Sequence, residues 1–167
     1  MLRVASSFVP SQQVAEEVVQ ETWVAVLRGI SGFEGRSSLR TWLFKILVNR
    51  ARTAGVRERR SVTVSDDYAS VEASSFGNSG SWLIPPDPWP ERVDDRMQAD
   101  QVAKVLRSAI DDLPDQQRRV VTLRDIEGLS GADVCAVLGI TQANQRVLLH
   151  RARSRLRQIV ETEFGRA

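Results

Sequence analysis

Residues 129–153 carry the pattern that most restricts the fold: a short helix, a tight turn and a second helix. Ser130 can cap the first helix, and Asp133 follows three residues later, close to a capping box. Gly139 can adopt the left-handed conformation that ends a helix, and Thr141 can cap the next one. These signals predict a closely joined helix pair whose second member starts near residue 142.

The second helix of this pair is basic and bears amide side chains near its start. Five arginines and no acidic residue lie between residues 142 and 157. A compact helix pair of this kind is typical of the helix-turn-helix modules that read the DNA major groove. An ordinary helical hairpin with a solvated basic face is the alternative that this stretch alone leaves open.

Charge is sorted along the chain, although the formal net charge is only +2. Residues 39–60 hold seven basic residues and one acidic residue, whereas residues 61–115 hold four basic and eleven acidic ones. Two basic blocks therefore flank an acidic middle. Such a separation predicts two positively charged surfaces that bind one long polyanion.

Composition argues against several other classes of protein. The chain has 167 residues with one cysteine and one histidine, so neither a metal-ligand cluster nor a disulfide framework is expected. It has no glycine-rich phosphate loop and no recognisable catalytic carboxylate pair, which argues against an enzyme and predicts no cofactor. It also lacks a membrane-spanning apolar run and the apolar segment of a signal peptide. We therefore expect a cytoplasmic protein without membrane insertion.

Two amphipathic helices are predicted in the N-terminal third. The first runs from Ser11 to Gly29, and its acidic face is either solvated or a docking site for a basic partner. The second follows Ser38, a predicted cap, and runs to about Val56. Phe33, in the loop between them, can pin the loop to the core or stack on a nucleic-acid base. The expected core stripes are Ala15, Val19, Trp23, Val26 and Leu27, then Leu39, Trp42, Leu43, Ile46 and Leu47, with Phe44 and Val48 outside the main stripe.

Residues 61 to about 90 have no periodicity and are rich in serine, glycine, proline and acidic residues. This length and composition predict a flexible linker between two domains. Helical periodicity resumes over Glu91–Asp112 and from Pro114 to about Glu127. In the latter helix, the candidates for exposed phosphate contacts are Arg118, Arg119 and Arg124.

The predicted fold class is therefore all-α. We expect two small helical domains, at residues 1–60 and 96–167, joined by a linker at residues 61–95. The C-terminal domain is predicted to be a four-helix module that contains the helix-turn-helix.

Two blocks of this sequence resemble the extracytoplasmic-function sigma factors, the small bacterial initiation factors of the sigma-70 family. The segments similar to their second region are Ala15–Trp23, Phe33–Ile46 and Asn49–Ala51. The segments similar to their fourth region are Leu113–Pro114, Leu123–Ser130, Leu138–Ile140 and Leu149–Arg153. The resemblance also implies a further helix before Ala15, and only a short stretch that could hold it precedes Ser11.

The resemblance implies a protein that binds core RNA polymerase and directs it to promoters, with no chemistry of its own. The polymerase-docking residues that it implies are Glu17, Gln20 and Glu21. Those implied for recognition and opening of the minus-ten element are Phe33, Arg36, Arg40, Lys45, Asn49, Arg50 and Arg52. Those implied for the minus-thirty-five element are Gln142, Asn144, Gln145, Arg146, His150, Arg151 and Arg153.

The resemblance also allows an anti-sigma factor as a partner. Two alternatives remain at this stage: a stand-alone helix-turn-helix regulator and a truncated, inactive sigma factor. A regulator would bind its operator without polymerase, so a pull-down of core polymerase separates it from a sigma factor.

Overall fold

In the computed structural model, which describes residues 1–59 and 96–164, every element is helical, and the all-α prediction is confirmed. The N-terminal half consists of α1 (Leu2–Ala5), α2 (Gln12–Gly29), a 3-10 turn (Ile30–Gly32) and α3 (Leu39–Arg59). The C-terminal half consists of α4 (Arg96–Asp111), α5 (Asp115–Val121), a π-helical segment (Thr122–Ile126), α6 (Gly131–Leu138) and α7 (Gln142–Phe164). The predicted linker at residues 61–95 lies outside the described residues.

The buried face of α2 differs from the predicted stripe. Its buried side chains are Ala15, Val18, Thr22 and Val26. Trp23 and Leu27, both expected in the core, are 48% and 73% exposed. Thr22 takes a core position because its hydroxyl donates a 2.7 Å hydrogen bond to the Val18 carbonyl one turn earlier. A hydrophobicity pattern counts threonine as polar, so the predicted stripe was rotated away from the buried one.

The helix α3 starts at its predicted cap, where the Thr41 N–H donates to Ser38 Oγ at 3.0 Å. Leu39 is 49% exposed, so its predicted core position is wrong. Phe44 and Val48, expected outside the main stripe, are both buried. The reason is that α3 packs on more than one side, against α2, α1 and α6, and so buries more than one stripe.

The helix predicted from Pro114 to about Glu127 changes its hydrogen-bonding pattern half-way. α5 passes directly into the π-helical segment, where the Glu127 N–H donates to the Thr122 carbonyl at 2.9 Å. Gly128 then has a φ of 67°, a conformation that glycine adopts at little cost. The chain therefore turns sharply from the π-helical segment towards α6.

The two halves pack against each other around a shared hydrophobic core. α1 contacts the π-helical segment, and α3 contacts α6. The core includes Phe8, Phe44, Leu47 and Val48 from the N-terminal half and Val120, Leu123, Val134, Val137 and Leu138 from the C-terminal half. A smaller cluster beneath α7 is formed by Ala109, Leu113, Val121, Ala152 and Leu156. The sequence analysis did not predict this contact.

Candidate nucleic-acid interface

The helix-turn-helix is held by the local signals that the sequence predicts. The Asp133 N–H donates to Ser130 Oγ at 3.1 Å, which caps α6. Gly139 ends α6 in the left-handed conformation, with a φ of 66°. The Asn144 N–H donates to Thr141 Oγ1 at 3.2 Å, which caps α7. Because both ends of the turn are fixed, the first turn of α7 has a defined position.

Three of the predicted base contacts are on the surface of this first turn. Gln142, Asn144 and Arg146 are exposed. Gln145 is 5% exposed, and a Cβ placed on Gly131 would lie 3.5 Å from its Oε1 atom. The side chain of Gln145 therefore packs under the start of α6, and we drop it from the predicted base contacts.

The middle of α7 carries the predicted contacts His150, Arg151 and Arg153. His150 and Arg151 are half-buried. Burial, together with the positive charge of Arg151, lowers the pKa of His150 below its usual value of 6.5. Arg153 binds the Asp125 carboxylate through Nε at 2.9 Å and Nη2 at 2.6 Å. This hydrogen bonding raises the pKa of Arg153 and partly neutralises the charge that a phosphate would meet.

The arginines of the preceding helix do not match the prediction of exposed phosphate contacts. Arg118, Arg119 and Arg124 are all half-buried. Arg118 donates to the Asp111 carbonyl at 3.1 Å, and Arg124 donates to the Leu129 carbonyl at 2.8 Å. These guanidinium groups satisfy backbone carbonyls within the fold.

The loop before α3 presents Phe33 and Arg36. The Phe33 ring packs on Trp42, with the ring centroids 5.2 Å apart and the planes inclined by 46°. Arg36 is highly exposed and pairs with Glu34 at 3.0 Å. The aromatic contact favours the interpretation that Phe33 holds the loop on α3. The same loop carries Arg36.

The candidate residues on α3 fall into two groups. Lys45 and Asn49 are exposed. Arg40 pairs with Glu127 of the C-terminal half at 3.3 Å, and Arg52 donates to the Leu138 carbonyl at the end of α6. Two of the predicted minus-ten residues thus contact the other half of this chain.

A groove of about 910 Å³ between α2 and α3 brings together residues from two predicted sites. Glu17 and Glu21, predicted for polymerase docking, line it with Asn49 and Arg50, predicted for the minus-ten element. Arg50 donates to Glu21 at 2.8 Å. Gln20 is exposed on the same helix. A partner that engages the acids of α2 therefore changes the environment of Arg50.

Comparison with known proteins places this geometry in a family. Sigma-70 region 2 matches residues 1–61, and Sigma-70 region 4 matches residues 103–156. The ECF RNA polymerase sigma-E factor of Escherichia coli (strain K12) is 30% identical over 148 residues, which span 89% of this chain and 74% of that protein. This chain is an extracytoplasmic-function sigma factor. The RNA polymerase sigma-H factor of Pseudomonas aeruginosa is another relative of this sigma factor, 32% identical over 146 residues, which span 87% of this chain and 72% of that protein.

Solved structures share the fold of this sigma factor. The sigma factor RpoE from Bartonella quintana, in complex with the anti-sigma factor NepR, superposes with a TM-score of 0.64 at 24% identity, covering 96% of this chain and 89% of that one. CnrH in complex with the cytosolic domain of CnrY superposes with a TM-score of 0.53 at 23% identity, covering 96% and 80%. Among the described residues, no helix has the length and apolarity to cross a membrane.

Sequence reasoning missed the residues that hold the halves together. Glu127 contacts Arg40 and the N-terminal amine of Met1, the latter at 3.4 Å. Arg119 donates through Nε to the Ser7 carbonyl at 2.9 Å, and its guanidinium lies 4.2 Å from the centroid of the Phe8 ring. No local pattern signals these contacts, because their partners are about a hundred residues apart in the sequence.

Proposed function

We propose that this sigma factor reads the minus-thirty-five element with the first turn of α7. The observation that carries this assignment is the exposure of Gln142, Asn144 and Arg146 on a turn fixed by the Thr141 cap. The N-terminal residues of a recognition helix are those that meet base edges in the major groove. Arginine matches guanine, and asparagine or glutamine matches adenine. Arg151 and Arg153 lie further along α7 and are assigned to phosphates.

For the minus-ten element, we assign the loop at Phe33 and Arg36 together with α3. Lys45 and Asn49 supply an exposed cation and an exposed amide on one face of α3. Extruding a base from the duplex costs a few kcal/mol. Contacts to the separated strand must offset that cost, and basic side chains beside an aromatic residue provide them. Arg40, Arg50 and Arg52 join this set when they leave their present partners.

For core polymerase, we assign the exposed acids of α2 as the docking surface. Glu17, Gln20 and Glu21 project from adjacent turns of one helix, and the groove beside them has an apolar floor that includes Val18 and Ile46. The acids of α2 beside this apolar floor fit a basic, partly apolar element of a large partner, which would compete with Arg50 for Glu21. Of the two interpretations of the acidic face of α2, this assignment favours a docking site over a solvated surface.

These assignments define a binding protein that acts in the cytoplasm with RNA polymerase, and we give it no catalytic role. The structural neighbour bound to an anti-sigma factor supports the proposal that this sigma factor also has an anti-sigma partner.

The test is promoter binding by the full chain assembled with core polymerase, measured by fluorescence anisotropy on a selected promoter and on its single-base variants. Arg146→Ala should cost about 1–3 kcal/mol at one base position of the minus-thirty-five element. Arg155→Ala is the matched control, because Arg155 is exposed on the same helix and has no assigned base. If Arg146→Ala weakens binding equally on every sequence, Arg146 contacts phosphate and the assignment is wrong.

A further inference from the structure

Asp125 holds the guanidinium group of Arg153 from one side. Asp125 lies in the π-helical segment, and Arg153 lies 28 residues later on α7. The carboxylate accepts the Nε–H at 2.9 Å and an Nη2–H at 2.6 Å, so the two groups form a side-on, bidentate pair. The side chain of Arg153 is nevertheless 56% exposed, whereas that of Asp125 is 31% exposed. The cation is therefore restrained and still accessible from solvent.

Both members of this pair are carried by elements that pack against each other. Val121, directly before the π-helical segment, and Ala152, directly before Arg153, belong to one buried cluster. The turn that follows the π-helical segment is fixed as well, because Arg124 donates to the Leu129 carbonyl at 2.8 Å. The carboxylate and the guanidinium group therefore join two well-packed supports, and the direction of the guanidinium group is set within the protein itself.

The pair leaves a second edge of the guanidinium group open. Arginine has five N–H donors in one plane, and the pair with Asp125 takes two of them on the Nε side. One N–H of each Nη atom lies at the outer end of the group, where the two donors are parallel. Such a fork matches two oxygens of a phosphate. Arg153 can therefore bind Asp125 and a phosphate at the same time.

Arg153 lies on the same face of α7 as Arg146, which is assigned to a base. The two arginines are seven residues apart, which is close to two helical turns and about 10 Å along the helix axis. Phosphate contacts fix the register of a recognition helix, while base contacts supply its specificity. A guanidinium group with a fixed direction at Arg153 would therefore hold Arg146 in a defined place in the major groove.

The carboxylate has two opposite effects on a phosphate contact, and their sizes decide the sign. Its negative charge repels a phosphate on the far side of the guanidinium group, at about 6 Å, which lowers affinity by less than about twofold at physiological salt. In contrast, a long side chain that is already ordered loses little freedom on binding, which raises affinity about two- to tenfold. Because the ordering outweighs the repulsion, the net effect of Asp125 is favourable.

We propose that Asp125 is a positioning residue for DNA binding: it orients Arg153 so that the outer edge of the guanidinium group binds a phosphate beside the minus-thirty-five element. The proposal rests on the assignment of Arg153 to a phosphate in the proposed function. Asp125 acts through Arg153 and does not itself contact DNA. Its removal should therefore weaken binding to every sequence by the same factor, and only while Arg153 is present.

The test is a double-mutant cycle of Asp125→Ala and Arg153→Ala in the full chain assembled with core polymerase. Affinity is measured by fluorescence anisotropy on the selected promoter and on its single-base variants. Asp125→Ala should weaken binding about two- to tenfold on every sequence. In the Arg153→Ala background it should change nothing, a result that a merely structural role of Asp125 would not give. Asp112→Ala is the matched control, because Asp112 is an exposed acid in the turn between α4 and α5, and its loss should leave the affinity unchanged.

The salt dependence of binding separates the positioning residue from the contact residue. Arg153→Ala should reduce the slope of log K against log salt concentration by about 0.9, because one phosphate contact is lost. Asp125→Ala should leave the slope close to that of the parent chain, because Arg153 still reaches the phosphate. A higher affinity and a steeper slope in Asp125→Ala would mean that the carboxylate only repels DNA, and the proposal would be overturned.

Asp125→Asn carries the test if circular dichroism shows that Asp125→Ala is unfolded. It keeps the size of the side chain and one acceptor oxygen, so its loss of affinity should be smaller and should depend on Arg153 in the same way. In the free chain, NMR should show that the Arg153 Nε–H exchanges with solvent more slowly in the parent chain than in either Asp125 variant.

The proposal is overturned if the folded Asp125 variants bind like the parent chain, or if Asp125→Ala costs the same with and without Arg153. If Arg153→Ala binds like the parent chain, the phosphate assignment is wrong and the proposal falls with it, whereas recognition by Arg146 is judged by its own variant. A parent chain that binds no promoter contradicts the proposed function instead, and equally fast exchange of the Arg153 Nε–H in parent chain and variants would still refute the restraint.

Discussion

Gly55→Ala is predicted to destabilise this sigma factor although it replaces a glycine inside a helix. Gly55 lies in α3, and a Cβ at this position would clash with the Phe8 carbonyl oxygen. In an open helix the change should stabilise by about 1 kcal/mol. Here the neighbour is backbone, so the segment after α1 must move, and overpacking of this kind costs about 1–3 kcal/mol. The clash also displaces Phe8, which packs beneath Arg119. Set against the gain of about 1 kcal/mol, this cost leaves a net loss of up to about 2 kcal/mol.

The measurement is the free energy of unfolding in urea, with Gly29→Ala as the control. A Cβ on Gly29 would meet the Trp42 ring at 3.5 Å, which is an ordinary contact. The control should therefore lie within about 1 kcal/mol of the parent chain. If Gly55→Ala is about 1 kcal/mol more stable than the parent chain, as expected for an open helix, while the control behaves as expected, the segment after α1 does not pack on α3 and the described position of Phe8 is wrong.

Three further predictions concern the recognition elements, two from substitutions and one from a titration. Glu17→Arg should weaken binding of core polymerase by about 1–3 kcal/mol, while Glu16→Arg, at the neighbouring exposed position, should have a smaller effect; equal losses in a pull-down titration would place the docking face elsewhere. Gly139→Ala should lower the free energy of unfolding by about 1–2 kcal/mol, because a residue with a Cβ is strained in the left-handed conformation even where no neighbouring atom blocks it. An unchanged urea midpoint would contradict the φ of 66°. His150, the only histidine, should titrate below pH 6.5 by NMR. Protonated His150 is therefore favoured in the unfolded chain. The stability that neutral His150 contributes should be lost as the pH falls from about 6.5 through the folded pKa. A folded-state pKa above 6.5 would refute this.

The helix-turn-helix was predictable because its signals are local. Ser130, Gly139 and Thr141 each act on residues within five positions along the chain. Capping residues and left-handed glycines can therefore be recognised in the sequence without knowledge of the tertiary packing. The family resemblance rested on the same local segments, and its confirmation depends little on how the halves are packed.

The buried polar residues were not predictable from hydrophobicity. Thr22 and Thr41 are in the core because their hydroxyls find partners one turn away or at a helix cap. Gln145 is buried beneath the start of α6, although its place in the first turn of α7 predicts a base contact. Whether a polar side chain at such a position faces solvent or a neighbouring helix is decided by tertiary packing.

The contacts between the two halves could not be predicted, because they join residues that are distant in the sequence. Arg119 and Ser7 are 112 positions apart, and Arg52 and Leu138 are 86 apart. Charge sorting predicted two exposed basic surfaces. In the structure Arg40, Arg52 and Arg153 are exposed, but each is bound to a partner within the chain. Lys45 and Arg146 are also among the exposed cations.

Transcription from a defined promoter by purified core polymerase tests the central assignment most directly. The full chain should produce transcripts with one start site downstream of a sequence selected by the assembled complex, and core polymerase without the chain should not. Arg146→Ala should shift the preferred base at one position of the minus-thirty-five element while the start site stays the same. Transcription that is independent of the chain, or binding of the chain to the same DNA with equal affinity and specificity when polymerase is absent, would contradict its assignment as a promoter-directing subunit.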